Sequence, residues 1–237
     1  MLLTIGCAVS SETTSNRVPV LLELFTSEGC SSCPPADRLL ERFDREQPFP
    51  GAELIVLSEH VDYWNSLGWS DPYSSAAFSR RQRDYAARLG LEDVYTPQLI
   101  VDGKTGFVGS DANKAATVIS SALASPKASL QISIAGQDAK SAQIRVSSSG
   151  QISGDLFVAA ALDRAQSHVS SGENSGRTLG HVAVVYSLQK GGKWNGSGSH
   201  SQELDVPLKA SAGHARIVAF VQDPGSGKIV AVSQTRL

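Results

Sequence analysis

Two cysteines separated by two serines, Cys30-Ser31-Ser32-Cys33, are the residues whose types and spacing most directly imply chemistry. Two intervening residues let a single turn of backbone bring the sulfurs into disulfide range, so one thiolate can attack and the other can resolve. Pro34 and Pro35 follow, and prolines are tolerated in a first helical turn, where the N–H groups have no intrahelical acceptors. The spacing therefore predicts a helix beginning close to Cys33, with Cys30 at its positive end, where the macrodipole favours a thiolate. Glu28 lies two residues before Cys30, and its charge opposes that effect. The same spacing also serves half of a zinc site or a structural disulfide. A structural zinc centre needs about four ligands, and the one further cysteine is Cys7.

The elements flanking the pair favour the redox reading. Val18 to Phe25 reads as a buried strand and Ala36 to Arg45 as a helix; Leu54 to Ser58 is a second strand, and Pro72 to Leu89 a second helix. Pro97 to Val101, the turn Asp102-Gly103-Lys104, a strand Thr105 to Val108 and a helix Asp111 to Ala124 complete a β-α-β-α-β-β-α order, the thioredoxin topology. After Pro126 the pattern changes to short segments, among them Leu130 to Ile134, Leu156 to Leu162, Val182 to Leu188, Ile217 to Val221 and Ile229 to Val232, separated by Gly- and Ser-rich turns. Such segments suggest an antiparallel sandwich. The expected architecture is an α/β thioredoxin-like N-terminal domain, residues 18–125, followed by a smaller antiparallel β-sandwich domain, residues 126–237, with residues 1–17 a signal remnant or linker.

That topology brings distant residues to one sheet edge. Two parallel strands would deliver Cys30 and the run Glu59-His60-Val61-Asp62-Tyr63-Trp64, and an antiparallel third strand would return Thr96-Pro97. A cis peptide at Thr96-Pro97 would leave neighbouring backbone free to pair with an extended peptide. Thr96, Ser31, Ser32, Tyr63 and Trp64 are thus candidates for contacting a client. His60 offers three alternatives: with Cys30 and Cys33 it could complete a copper or zinc site, it could act as a base, or with Asp62 and Trp64 it forms a hydrogen-bonded loop that shapes the edge. Glu173, Asn174, Arg177 and His181 could bind a ligand, but read better as a polar network bracing the contact between the two halves. His168, His200 and His214 have no informative spacing and read as solvent-facing.

The run Val20 to Asp37 is similar to that of DUF1223, a family of exported, thioredoxin-like bacterial proteins known only as a domain of unknown function. His60-Val61-Asp62-Tyr63-Trp64, Leu67-Gly68-Trp69, Asp71-Pro72, Arg81-Gln82, Tyr95-Thr96-Pro97-Gln98 and Gly172-Glu173-Asn174-Ser175-Gly176-Arg177 with His181 match as well, so the resemblance spans nearly the whole chain. It implies the fold and export, and no reaction. Within the wider thioredoxin superfamily Cys30 resembles the attacking cysteine, Cys33 the resolving one, Pro97 the cis-proline, and Glu23 the buried acid that relays a proton to Cys33. Gly29 stands where tryptophan is usual, and the Ser31-Ser32 pair departs from the thioredoxin pattern.

Composition excludes several other functions. The chain has 237 residues, 41% hydrophobic and 19% charged, with a net charge of -2 and no basic tract, so nothing points to nucleic acid. No apolar run approaches a transmembrane helix. The apolar opening Met1 to Val9 resembles the end of an export signal, and Ile5-Gly6-Cys7 the end of a lipoprotein box, which would make Cys7 a lipid anchor on a periplasmic or exported protein. The resulting expectation is an exported thiol-disulfide oxidoreductase or isomerase acting on a protein dithiol or disulfide client, reset by a separate redox partner, with no cofactor. The alternatives are a non-catalytic binding module with a structural disulfide, and a copper- or zinc-binding accessory protein.

Overall fold

The computed structural model describes residues 17–209 and 215–237; Cys7, the export-signal reading and His214 lie outside them. The order is β1 (Val18–Thr26), α1 (Pro34–Glu46), β2 (Ala52–His60), α2 (Ala76–Leu89), β3 (Gln98–Val101), β4 (Thr105–Val108), α3 (Ala112–Ala122), β5 (Gln131–Gln137), β6 (Ser141–Ser149), β7 (Gly154–His168), β8 (Thr178–Trp194), β9 (Ser199–Pro207), β10 (Ala215–Gln222) and β11 (Ile229–Arg236). Helix starts follow local chemistry. Cys33 is the N-cap of α1, with prolines filling its first two positions. Ser75 caps α2 by accepting from the Ala77 N–H, which starts this helix later than Pro72, and Asp111 caps α3 by accepting from the Lys114 N–H.

The expected thioredoxin-like α/β domain with a separate β-sandwich does not form. Among the described residues the chain is mostly β: an eight-stranded mixed sheet, ordered β11-β10-β7-β8-β2-β1-β3-β4, and a three-stranded sheet, β5-β6-β9, with three short helices. Strand β8 joins the two halves, pairing with β2 through Ser58 and Val184 and antiparallel with β7 along its length. Residue 126 therefore marks no break between independent sheets.

The physical reason lies in the apolar runs of the later strands. Leu156 to Leu162 in β7 and Ile217 to Val221 in β10 are continuously apolar, which is the pattern of a strand covered on both faces. Successive side chains of a strand point to opposite faces, and here each face has its own core. Leu156, Val158, Ala160, Ile217, Ala219 and Val221 pack towards the three-stranded sheet with Ile144, Val146 and Trp194. Ala159, Ala161, Val218 and Phe220 join Leu22, Leu24, Leu40 and Phe43 of β1 and α1. A free-standing sandwich would leave this second face in water, at a cost of roughly 25 cal/mol per Å² of apolar area. Extending the sheet buries it. Arg216 fastens the junction: fully buried on β10, it reaches Asp44 of α1 at 2.6 Å and Asp163 of β7 at 2.6 Å.

Among the described residues, no helix is long and apolar enough to cross a membrane.

Candidate functional site

Strand β1 ends in Thr26-Ser27-Glu28-Gly29-Cys30, and a short turn carries the chain into α1: Cys30 N–H donates to Ser27 O at 3.2 Å and Cys33 N–H to Cys30 O at 3.2 Å. This turn brings the Cys30 and Cys33 α-carbons to 5.4 Å, and the sulfurs form a disulfide. Both cysteines are fully buried, whereas Ser31 and Ser32 between them are exposed. The Ser32 hydroxyl lies 3.3 Å from Cys30 Sγ.

The Thr96–Pro97 peptide is cis. Pro97 lies beside the first turn of α1, because a Cβ placed on Gly109 would meet both Ala36 Cβ, at 3.3 Å, and Pro97 Cβ, at 3.4 Å. Trp64 ties this corner together. Its indole N–H donates to Thr96 Oγ1 at 2.8 Å, and its Cβ leaves room only for a glycine-sized neighbour at Gly29, where an added Cβ would come within 3.1 Å. Tyr63, Leu67 and Tyr95 form an exposed apolar rim nearby.

Glu23 is placed elsewhere. Leu22 and Leu24 on either side of it pack against α1, so strand alternation puts Glu23 on the opposite face of the sheet. There it accepts from Arg81 Nε at 2.6 Å and Tyr85 OH at 2.5 Å. Its hydrogen bonds run to these groups and not to Cys33. Arg81, lodged against the rings of Tyr85, Phe157 and Phe220, has its pKa raised because the Glu23, Tyr85 and Glu59 charges outweigh burial. Glu59, buried beside Glu23, is pushed well above the usual carboxylate range by burial first and then by its neighbour's charge.

Under the disulfide turn lies a second buried polar cluster. Glu28 is fully buried and accepts from Trp69 Nε1 at 2.8 Å, from His181 Nε2 at 3.2 Å and from the Ser167 hydroxyl. Burial alone would raise its pKa, but the hydrogen bonds from His181, Ser167 and Trp69 hold it below the ordinary carboxylate value. Burial would lower His181, yet Asp37 and Glu28 push it up to about 10. The His181 Nδ1 to Asp37 Oδ1 separation is 3.8 Å, an ionic contact too long for a hydrogen bond. His181 therefore carries a positive charge at neutral pH, and the expected opposition of Glu28 to a Cys30 thiolate is offset. His60 Nδ1 meets Asp71 Oδ2 at 2.7 Å, and its ring stands edge-on to His181 with centroids 4.7 Å apart. Asp71 is held below its usual pKa because the His60 imidazole and the Glu28 and Tyr73 backbone N–H groups outweigh burial. Among the described residues no group of three His, Cys, Asp or Glu could hold a metal ion, and His60 faces Asp71 and His181.

The segment between β7 and β8 closes the site from above. Asn174, fully buried, donates to Glu28 O at 2.8 Å and to Cys30 O at 3.0 Å, and accepts from Arg177 Nη1 at 2.8 Å. Glu173 accepts from the Ser31 N–H at 3.1 Å. Ser171 donates to Gly68 O at 2.5 Å, and Gly172 packs where a Cβ would come within 3.2 Å of Trp69 Cβ. Glu173, Asn174 and His181 thus brace the cysteine turn directly. Sequence reasoning read these residues as bracing the contact between the two halves, and it named Asp37 and Asp71 only within the runs that resemble DUF1223, with no role for either. His168 and Glu173 are exposed.

The DUF1223 family, described as protein of unknown function, matches residues 21–222. A crystal structure of a protein from Agrobacterium tumefaciens is similar at 28% identity and a TM-score of 0.71, covering 94% of this chain and 95% of that one. The sporulation control protein Spo0M of Bacillus subtilis aligns at 10% identity and a TM-score of 0.34, over 47% of this chain and 48% of its own. A beta-glucosidase from Bifidobacterium adolescentis aligns at 15% identity and a TM-score of 0.24, over 46% of this chain and 17% of its own. No curated protein sequence matches. Because the match runs from residue 21 to residue 222, well over half of the chain, the chain belongs to the DUF1223 family.

Proposed function

We propose that this protein is an exported thiol-disulfide oxidoreductase or isomerase that exchanges with protein dithiols through Cys30 and Cys33. The observation that carries the reading is the disulfide itself, closed across the turn into α1 beside Ser32 and the Thr96–Pro97 corner. In the oxidising direction a client thiolate attacks Cys30 Sγ, forming a mixed disulfide and releasing the Cys33 thiolate. The client's second thiolate then displaces Cys30, leaving an oxidised client and a reduced Cys30–Cys33 pair, and the reverse sequence reduces a client. Ser32 supports Cys30 as the exchanging sulfur, because a hydroxyl 3.3 Å away can donate to its thiolate and favour the charged form. Tyr63, Leu67 and Tyr95 offer an apolar landing surface for an extended client. An oxidising compartment accords with a closed disulfide and with the resemblance to exported proteins.

Complete burial of both cysteines favours a second reading, a structural staple in a binding module. Equilibration in glutathione buffers separates the two. A redox-active pair reduces reversibly, and in Cys33→Ala the Cys30 thiolate attacks a client disulfide, releases one client thiolate and accumulates as the mixed disulfide. A pair that stays oxidised below roughly −300 mV, with no adduct on Cys33→Ala, is a staple.

A further inference from the structure

A cavity of about 280 Å³ opens at the end of the large sheet opposite the disulfide. β3 starts beside Pro97 and runs to Asp102, so the cavity and the cysteines sit at opposite ends of the same strands. Its walls come from the β3–β4 turn, one side of α3, the connection to β5 and the β10–β11 turn.

The sequence holds eight lysines, at 104, 114, 127, 140, 190, 193, 209 and 228. Four of them, Lys104, Lys114, Lys127 and Lys228, line this one cavity. Its lining includes one carboxylate, Asp102, and that is already committed: it accepts from Lys127 Nζ at 2.7 Å and from the Leu21 N–H at 2.9 Å. Lys127 is itself built in, its side chain only 1% exposed. Lys104, Lys114 and Lys228 make no salt bridge within 4.0 Å among the described residues, and although the Lys228 charge acts on Asp102, that one carboxylate faces four lysines on the same lining. Lys114 also stands in the first turn of α3, where the helix dipole disfavours a cation.

The backbone fixes this arrangement. The Ile229 N–H donates to Asp102 O at 2.9 Å, and the β3–β4 and β10–β11 turns touch backbone to backbone. A Cβ at Gly103, which has φ +66°, would run into the Gly227 carbonyl. Lys228 is thereby held over the cavity next to Lys104. Below the lysines, Val101, Val118 and Ile229 make an apolar floor, with the Thr117 and Ser121 hydroxyls of α3 between floor and rim.

We propose that this cavity binds a small organic anion: a phosphate or carboxylate group held by Lys104, Lys114 and Lys228, on a compact apolar body resting on Val101, Val118 and Ile229. The volume falls just below the usual range of ligand pockets, about 300–1,000 Å³, which limits the body to roughly the size of one ring. The assignment stands independently of the disulfide chemistry.

Calorimetric titration of the full chain at low ionic strength tests it, with phenyl phosphate and benzoate as probes and inorganic phosphate as the reference. Saturable one-to-one binding is expected for at least one organic probe, more tightly than inorganic phosphate, and the probe that binds identifies the head group. Lys114→Gln and Lys228→Gln should each weaken it about tenfold, while Lys114→Arg retains it and Lys193→Gln, away from the cavity, changes nothing. Absence of saturable binding by both organic probes, equal affinity for inorganic phosphate, or an equal loss in Lys193→Gln overturns the proposal. Unchanged thermal melting shows that the variants are folded.

Discussion

Replacing Asn174 by alanine should expose the disulfide to reductants. The side chain is fully buried and spans three partners: it donates to the Glu28 and Cys30 carbonyls and accepts from the Arg177 guanidinium. A buried neutral hydrogen bond is worth about 1 kcal/mol net, and one to a charged group about 1.5–3. The Cys30 carbonyl keeps its bond from the Cys33 N–H, and groups freed on opening regain water. The weakening of the closure is therefore about 2–3 kcal/mol, less than the sum of the three bonds. Both cysteines are fully buried, so a small thiol must await opening, and when reclosing outpaces attack the rate follows the open population. At tenfold per 1.4 kcal/mol, Asn174→Ala should be reduced by dithiothreitol roughly 30- to 150-fold faster than the wild type. Quenched-flow reduction followed by alkylation and mass measurement reads this directly, with the exposed Ser175→Ala as the control. A wild type reduced as fast as an unprotected peptide disulfide, with a variant within about twofold of it, would show that the segment over the cysteines limits nothing.

His181→Gln leaves Glu28 buried with its cationic partner gone, and should cost about 3–5 kcal/mol by urea unfolding at pH 6. The pH dependence has a defined sign. With a folded-state pKa of about 10, above the ordinary 6.5, His181 contributes stability that is complete below about pH 6.5 and lost as pH rises through 10. Glu28, lowered in the fold, contributes stability above its ordinary pKa that is lost in acid. Wild-type urea midpoints should fall between pH 6.5 and 10, and His181→Gln should flatten that fall; equal slopes would remove His181 as its cause. Glu59 has neither carboxyl oxygen hydrogen-bonded, and burial followed by the Glu23 charge raises its pKa, so folding favours its protonated form more than the unfolded chain does. Glu59→Gln should then be neutral or stabilising at pH 7, by up to about 2 kcal/mol, with the gain shrinking towards pH 4. A loss above about 3 kcal/mol would instead mean that Glu59 is ionised and serves as the counterion of Arg81.

Local elements were legible where local chemistry decides them. The CxxC spacing, the two following prolines and the apolar stripe of Leu39, Leu40 and Phe43 locate α1, and Asp111 marks the start of α3 by capping, whereas α2 was read from Pro72, ahead of its cap Ser75. The meeting of Thr96–Pro97 with the cysteine turn followed from strand direction. Sheet membership was not legible. The run Leu-Phe-Val-Ala-Ala-Ala-Leu at 156–162 states that both faces of a strand are covered, but not by which partners, and β2 and β8 are joined by a pairing across more than a hundred residues. Glu23 shows the same limit within one strand. Its burial was legible, but its partner depends on which face α2 occupies, and Arg81 on that face holds both it and Tyr85.

The extension of the large sheet and the closure of the site have one cause. Had the later strands formed a sandwich of their own, β7 and β8 would have had no reason to lie beside β2, and the segment joining them would have stood clear of Cys30. Because their second apolar face is buried against α1, β8 lies beside β2 and β7 beside β8, and their joined ends come to the sheet end where the cysteines sit. Their connection then has nowhere to turn except across that end. His181 at the start of β8 and Ser167 at the end of β7 therefore reach Glu28 together, and Asn174 between them reaches the Cys30 carbonyl. The packing that extends the sheet is thus the same packing that neutralises the acid beneath the disulfide and seals the sulfurs. A substitution that loosens β8 from β2, far from any cysteine, should accordingly raise disulfide reactivity as well as lower stability.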